Sequence, residues 1–196
     1  LPGEKNGIIP SHEWKLAAKG VVWTPGETVV AGIGQGYVLT TPIQLAVMTA
    51  RIANGKVAVV PSLLSTTNVL GHNFAPLDIS ESALAVIRRG MSAVLYGSAG
   101  TANKYKLNKK YGGMAGKTGT VQVKRITLAQ REKGIMKNID RPWKERDHAL
   151  FVAYAPLKNP RYAISVVVEH GGSGSSTAAP VARDILAKTI AERGLT

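Results

Sequence analysis

Apolar residues recur along this chain at two spacings, and the spacings predict its elements. Ile43, Ala46, Val47, Ala50 and Ala53 lie three or four residues apart, as on one face of a helix. Thr41-Pro42-Ile43-Gln44 opens that helix as a capping box with proline at the first helical position, and Asn54-Gly55 closes it. Leu84, Ile87, Met91, Val94 and Leu95 mark a second helix, with Asp78 as its expected cap and Gly97 as its end. A last helix is predicted over 177–193, with Val181, Ile185, Leu186 and Ile190 facing a core and Gly194 as its stop. Residues 1–30 read as irregular apart from a short helix over 11–19 capped by Ser11.

The other spacing is that of strands. Residues 149–155 are almost wholly apolar, and 162–168 are rich in β-branched side chains. The short turn Pro156-Leu157-Lys158-Asn159-Pro160 between them makes them antiparallel neighbours. An alternating run, Thr120-Val121-Gln122-Val123, predicts a third strand. Residues 56–64 read as extended, with Pro61 marking an edge or strand end, and 65–77 as a loop in which His72 is exposed. The long polar segment 124–147 is an excursion or a mobile loop. Helices, then three strands, then a helix predict an α+β fold, an antiparallel sheet covered by helices.

Composition narrows the picture only in part. The 196 residues suffice for one core or for part of a larger domain, and 44% hydrophobic content is that of a globular chain. No apolar run approaches the ~18 residues of a membrane span. Leu1-Pro2-Gly3-Glu4-Lys5 shows neither an initiator methionine nor a signal-peptide pattern, which predicts a piece of a longer chain. The absence of cysteine excludes disulfides, thiolate nucleophiles and cysteine metal sites. Net charge is +13, and most of it sits in residues 101–146, with 13 basic and 3 acidic side chains. A solvated basic loop is the plain explanation, and contact with a membrane surface or an anionic polymer the sharper one. No zinc-finger spacing or row of aromatics supports nucleic acid.

The candidate chemistry lies at Met114-Ala115-Gly116-Lys117-Thr118-Gly119-Thr120. On an extended backbone Lys117 and Gly119 share one face, and Thr118 and Thr120 the other. Gly119 leaves room for a ligand to approach the backbone. A cation, two hydroxyls and open backbone together suit a bound carboxylate or phosphate. A phosphate-binding P-loop would need glycine where Tyr111 stands and a helix where the alternating run follows. Gly32-Ile33-Gly34-Gln35-Gly36 is no dinucleotide fingerprint either, because Tyr37 occupies its last glycine position, so it reads as tight backbone packed near the site. His170 and Ser173 lie in a glycine- and serine-rich loop that lacks the final glycine of a nucleophile elbow.

Five motifs in order carry a resemblance: Gly32–Gly36, Thr41-Pro42-Ile43-Gln44, Gly100-Thr101-Ala102, Gly116-Lys117-Thr118-Gly119-Thr120 and Gly171-Gly172-Ser173-Gly174. Together they resemble the transpeptidase domain of class B penicillin-binding proteins, most nearly the elongation-specific, rod-shape branch. The resemblance implies a serine-type peptidoglycan D,D-transpeptidase. A serine takes the acyl group from a peptide ending in D-Ala-D-Ala, and an amine of a neighbouring stem peptide resolves the ester. It also implies acylation by β-lactams, a partner in the membrane-bound cell-elongation machinery, and a place at the periplasmic face of the inner membrane, with no cofactor and no metal. Lys117-Thr118-Gly119 falls on the family's K-T-G element. Lys117 would supply positive charge to the nucleophile network and the substrate carboxylate. Thr118 and Thr120 would hold that carboxylate, and the Thr120 N–H would donate to the oxyanion. The family also needs S-x-x-K and S-x-N, and no serine here has lysine three positions on or asparagine two positions on. In the family both elements lie upstream. The resemblance therefore implies a C-terminal portion of one domain, without its nucleophile and inactive alone. The alternative is a non-catalytic module that binds peptide or anionic polymer.

Overall fold

The computed structural model of the chain describes residues 3–63, 74–124, 126–132 and 134–194. Four helices come first: α1 (His12–Lys19), α2 (Pro25–Gly32), α3 (Pro42–Asn54) and α4 (Glu81–Tyr96). Strand β1 (Ala115–Val121) follows, then a short α5 (Leu128–Glu132), strands β2 (His148–Ala155) and β3 (Tyr162–Val168), and a closing α6 (Ala179–Arg193). The strands form one antiparallel sheet in the order β1-β2-β3. The α+β architecture is as the sequence predicts.

Each start is set by local chemistry. The Ser11 hydroxyl accepts from the Trp14 N–H at 3.1 Å and opens α1. Thr41 and Gln44 close their capping box at 3.3 and 2.9 Å, and α3 ends on Gly55 in the left-handed region. The cap of α4 is Ser80, which accepts from the Ala83 N–H, and not Asp78. Helix α2 lies where an irregular segment was expected. Its start, Thr24-Pro25-Gly26-Glu27, has the same design as that of α3, and the Glu27 carboxylate accepts from the Thr24 N–H and hydroxyl. Glu27 also pairs with buried Lys15 at 2.6 Å, which ties α2 to α1.

The sheet carries a core on each face. On one face Ala149, Phe151 and Ala153 of β2, with Ile164 and Val166 of β3, pack against Ala182, Leu186 and Ile190 of α6. On the other, Ala115 and Tyr154 meet Ala53 of α3 and Met91 of α4. Burying a Leu or Phe of this kind stabilises by roughly 1.5–3 kcal/mol. Burial also pushes the Tyr154 phenol up from its ordinary pKa, opposed by the charge of Arg88.

Two helices are rotated from their expected faces. In α6 the buried stripe is Ala179, Ala182, Leu186 and Ile190, whereas Val181 and Ile185 stay exposed. Alanines let this helix approach the sheet closely, and that close approach decides the face over bulk. In α3 the buried residues are Thr49 and Ala53, and Thr49 satisfies its hydroxyl on the Leu45 carbonyl at 2.7 Å. Ile43, Ala46, Val47 and Ala50 are half-buried. The expected extended stretch at 56–64 reduces, over its described part, to one antiparallel bridge between Val57 and Pro76. Most of the predicted 65–77 loop, His72 included, lies outside the described residues.

Candidate functional site

Strand β1 runs through the candidate stretch and stops at Val121, so Gln122 and Val123 lie beyond it. Ala115 and Gly116 are buried, Thr118 and Gly119 half-buried, Lys117 and Thr120 exposed. Pairing sets Lys117 opposite Val152, Thr118 opposite Phe151 and Thr120 opposite Ala149. Lys117 and Gly119 therefore share one face, and Thr118 and Thr120 the other. Gly116 is required by packing, since a Cβ there would lie 2.6 Å from the Phe151 ring.

Two hydrogen bonds define the outer edge of β1. The Lys117 ammonium donates to the Thr118 carbonyl at 2.7 Å, and the Gln35 amide donates to the Thr120 carbonyl at 3.0 Å. In an antiparallel pair a residue's N–H and C=O point to the same side. The Thr118 and Thr120 carbonyls, taken by side chains, thus mark their own N–H groups as facing outward, away from β2. Lysine, two hydroxyls and outward N–H groups line one edge and can hold a carboxylate.

Residues far apart in sequence converge on this edge. Gln35 brings the Gly32–Gly36 segment to the end of β1. Thr101, just past α4, meets Thr118 hydroxyl to hydroxyl at 3.0 Å. Gly174 lies so close beneath that a Cβ on it would collide with the carbonyls of Gly119 and Leu150. The glycine-rich loop reaches this position through a single π-helical turn, Gly174–Ala178, opened by Ser173. Thr41–Gln44 does not reach the edge, and its role is to cap α3.

One organiser of the surroundings was missed in the sequence. The Asp147 carboxylate accepts from the Val123 N–H at 3.3 Å and pairs with Arg141 at 3.4 Å, and its own carbonyl accepts from the Gly172 N–H at 2.8 Å. Its partners are scattered along the chain, so no local pattern announces it. His170 donates from Nδ1 to the Arg146 carbonyl at 3.0 Å and packs against Trp143 with the rings tilted by 58°, and Ser173 pairs with Ser175. Neither is arranged as a nucleophile and its base. Among the described residues no cluster of His, Asp and Glu is placed to hold a metal. Nor is any described helix long and apolar enough to cross a membrane.

The family described as the penicillin binding protein transpeptidase domain matches residues 1–187. The peptidoglycan D,D-transpeptidase MrdA of Salmonella typhimurium is 38% identical over 196 residues, covering 95% of this chain and 30% of that protein. This chain therefore spans about a third of the length of such relatives. The crystal structure of Pseudomonas aeruginosa PBP2 in complex with WCK 5153 superposes with a TM-score of 0.72 at 35% identity, covering 97% of this chain and 39% of that one. The Helicobacter pylori complex of PBP2 with MreC gives 0.77 at 32% identity, covering 100% and 33%. The fold is that of the penicillin-binding transpeptidase domain. With the match unbroken over 1–187 and relatives of this identity on both counts, the chain belongs to the penicillin-binding protein transpeptidase family, in its PBP2 branch.

Proposed function

We propose that this chain is the C-terminal portion of the catalytic domain of a peptidoglycan D,D-transpeptidase of cell-wall elongation, and that it supplies the substrate-holding edge while the acylated serine lies upstream. The observation that carries this reading is the convergence of Gln35 and Thr101 on the edge that bears Lys117, Thr118 and Thr120, with Gly174 packed against the β1–β2 junction behind it. The Lys117 ammonium and the hydroxyls of Thr118 and Thr120 bind the terminal carboxylate of the donor peptide. The serine oxygen attacks the carbonyl carbon of the penultimate residue, and the Thr120 N–H stabilises the oxyanion. A preorganised donor of this kind contributes about 3–4 kcal/mol. The C–N bond breaks, D-Ala leaves with a proton, and an acyl-serine remains. An amine of a second stem peptide then attacks the ester. A C–N bond forms, the C–O bond breaks, and the serine oxygen regains a proton.

β-Lactams acylate the same serine in this reading. The Helicobacter pylori relative is seen with MreC, which supports an elongation-machinery partner; a place at the periplasmic face of the inner membrane is part of the same proposal. Intact-mass measurement after incubation with a penicillin tests the assignment. A covalent adduct is expected on the longest form of the protein and none on this chain alone, because no serine here has the S-x-x-K setting. An adduct on neither form would overturn the proposal in favour of a peptide-binding module, in which peptide binding to this chain is lost with Lys117→Ala.

A further inference from the structure

The segment between β1 and β2 is more than a solvated connection. Residues 124–146 hold 8 basic and 3 acidic side chains. They fold into α5 and two short 3₁₀ turns, Asn138–Asp140 and Trp143–Glu145. Asp147 pins the segment at both ends, to Val123 where the chain leaves β1 and to Gly172 where the glycine-rich loop passes. The segment is thereby held next to the end of the edge that carries Thr120.

Within it lies a cleft of about 240 Å³, lined by Ile126, Ile135, Met136 and Pro142, with Lys124, Arg141 and Glu145 among its walls. Those two cations are already neutralised, Lys124 by Glu145 at 2.7 Å and Arg141 by Asp147. Arg131, Lys137 and Lys144 are exposed, and among the described residues they have no acidic partner. Lys137 and Lys144 follow and precede the lining residues Met136 and Glu145 in the chain, so both belong to the same exposed segment as the cleft. Leu128, Ile139 and Trp143 of the same segment are exposed as well. A segment that combines an apolar cleft with unpaired exposed cations is complementary to a short peptide that carries carboxylates and small apolar side chains.

Resting on the function proposed above, we propose that this surface binds the acceptor of the reaction, a short acidic peptide whose free amine resolves the acyl-serine. Charge supports the assignment in two ways. The cations attract the acceptor's carboxylates across solvent. A positive surface also disfavours the ammonium form of an incoming amine, which raises the share of the neutral nucleophile. The donor is held by its carboxylate at Lys117, so the two peptides take adjacent but separate seats.

The test uses the full-length protein and a Lys137→Glu/Lys144→Glu variant, two exposed side chains outside the donor edge. The readouts are the rate of acylation by a penicillin and the partition of the acyl-enzyme between an acidic acceptor peptide and water. Acylation is expected to stay within about twofold, because charges this exposed are screened from the donor edge. Transfer to the peptide relative to water is expected to fall by about tenfold, with loss of the salt dependence that the wild type shows. An unchanged partition in the variant would overturn the proposal. Failure of the wild type to acylate would instead remove the transpeptidase reading. Quenching of Trp143 fluorescence by the acidic peptide, absent in the variant and in a Trp143→Phe control, would then decide the surface by itself. Equal binding of phosphatidylglycerol vesicles and the peptide would overturn it, since a membrane surface asks only for charge and apolar contact.

Discussion

Single atoms decide the shape of the candidate edge. Gly174 closes against Gly119 and Leu150 with no room for a methyl group. Gly174→Ala is therefore expected to cost about 1–3 kcal/mol as overpacking, read as a lower thermal midpoint. Gly90, inside α4, has open space where a Cβ would stand. Gly90→Ala is expected to raise stability by about 0.5–1 kcal/mol in the same melt. A charged side chain sets a different dependence. Hydrogen bonds from Lys15 and Thr24 hold the Glu27 carboxyl below its ordinary pKa. A group with a depressed folded pKa contributes stability above its unfolded value and loses it as pH falls through the folded value. Acid below the ordinary glutamate value is thus expected to weaken the α1–α2 contact, and Glu27→Gln to flatten the pH dependence of the melt in that window.

Between elements, one amide matters most. Gln35 joins the Gly32–Gly36 segment to the last outward carbonyl of β1. A hydrogen bond of this type contributes about 0.5–1.5 kcal/mol, so Gln35→Ala is expected to leave the fold intact. Acylation of the full-length protein by penicillin is expected to slow, because Thr120 loses its anchor; unchanged acylation would make Gln35 a packing residue only. The elements themselves were legible wherever a local signal sets them. Thr41-Pro42-Ile43-Gln44 and the β-branched run at 162–168 suffice by themselves. Thr24-Pro25-Gly26-Glu27 carried the same signal as Thr41–Gln44, yet the short helix that follows it lacks an apolar stripe to draw attention. The face of α6 was not legible from side-chain size, because Ala179 and Ala182 are buried by closeness to the sheet. At the site, Lys117, Thr118 and Thr120 stood out as a local cluster. Asp147 did not, since its partners at 123, 141 and 172 come together only in three dimensions.

Taken whole, the molecule distributes its apolar surface unevenly. The sheet is closed on both faces, while Ile9, Val22, Val29, Ile33, Leu39, Val60 and Leu63 remain exposed in the first third of the chain. The chain also spans about a third of its relatives' length, and the proposed reading places the remaining catalytic parts, serine included, in a longer form of the protein. The motif residues of this portion stand ready on a sheet whose register is already fixed by β2 and β3.

The outer edge of β1 has a second consequence, for solubility. Outward-facing N–H and C=O groups on an edge strand are a template on which a strand of another copy can zip. Lys117 stands on that strand, exposed and charged, and a charge there opposes such stacking, as gatekeeper lysines do. Replacing it removes a guard along with a candidate catalytic group. Lys117→Ala is expected to increase light scattering with protein concentration, whereas Lys117→Arg keeps the solution clear. The residue that would greet a substrate is thus also expected to keep sister chains apart.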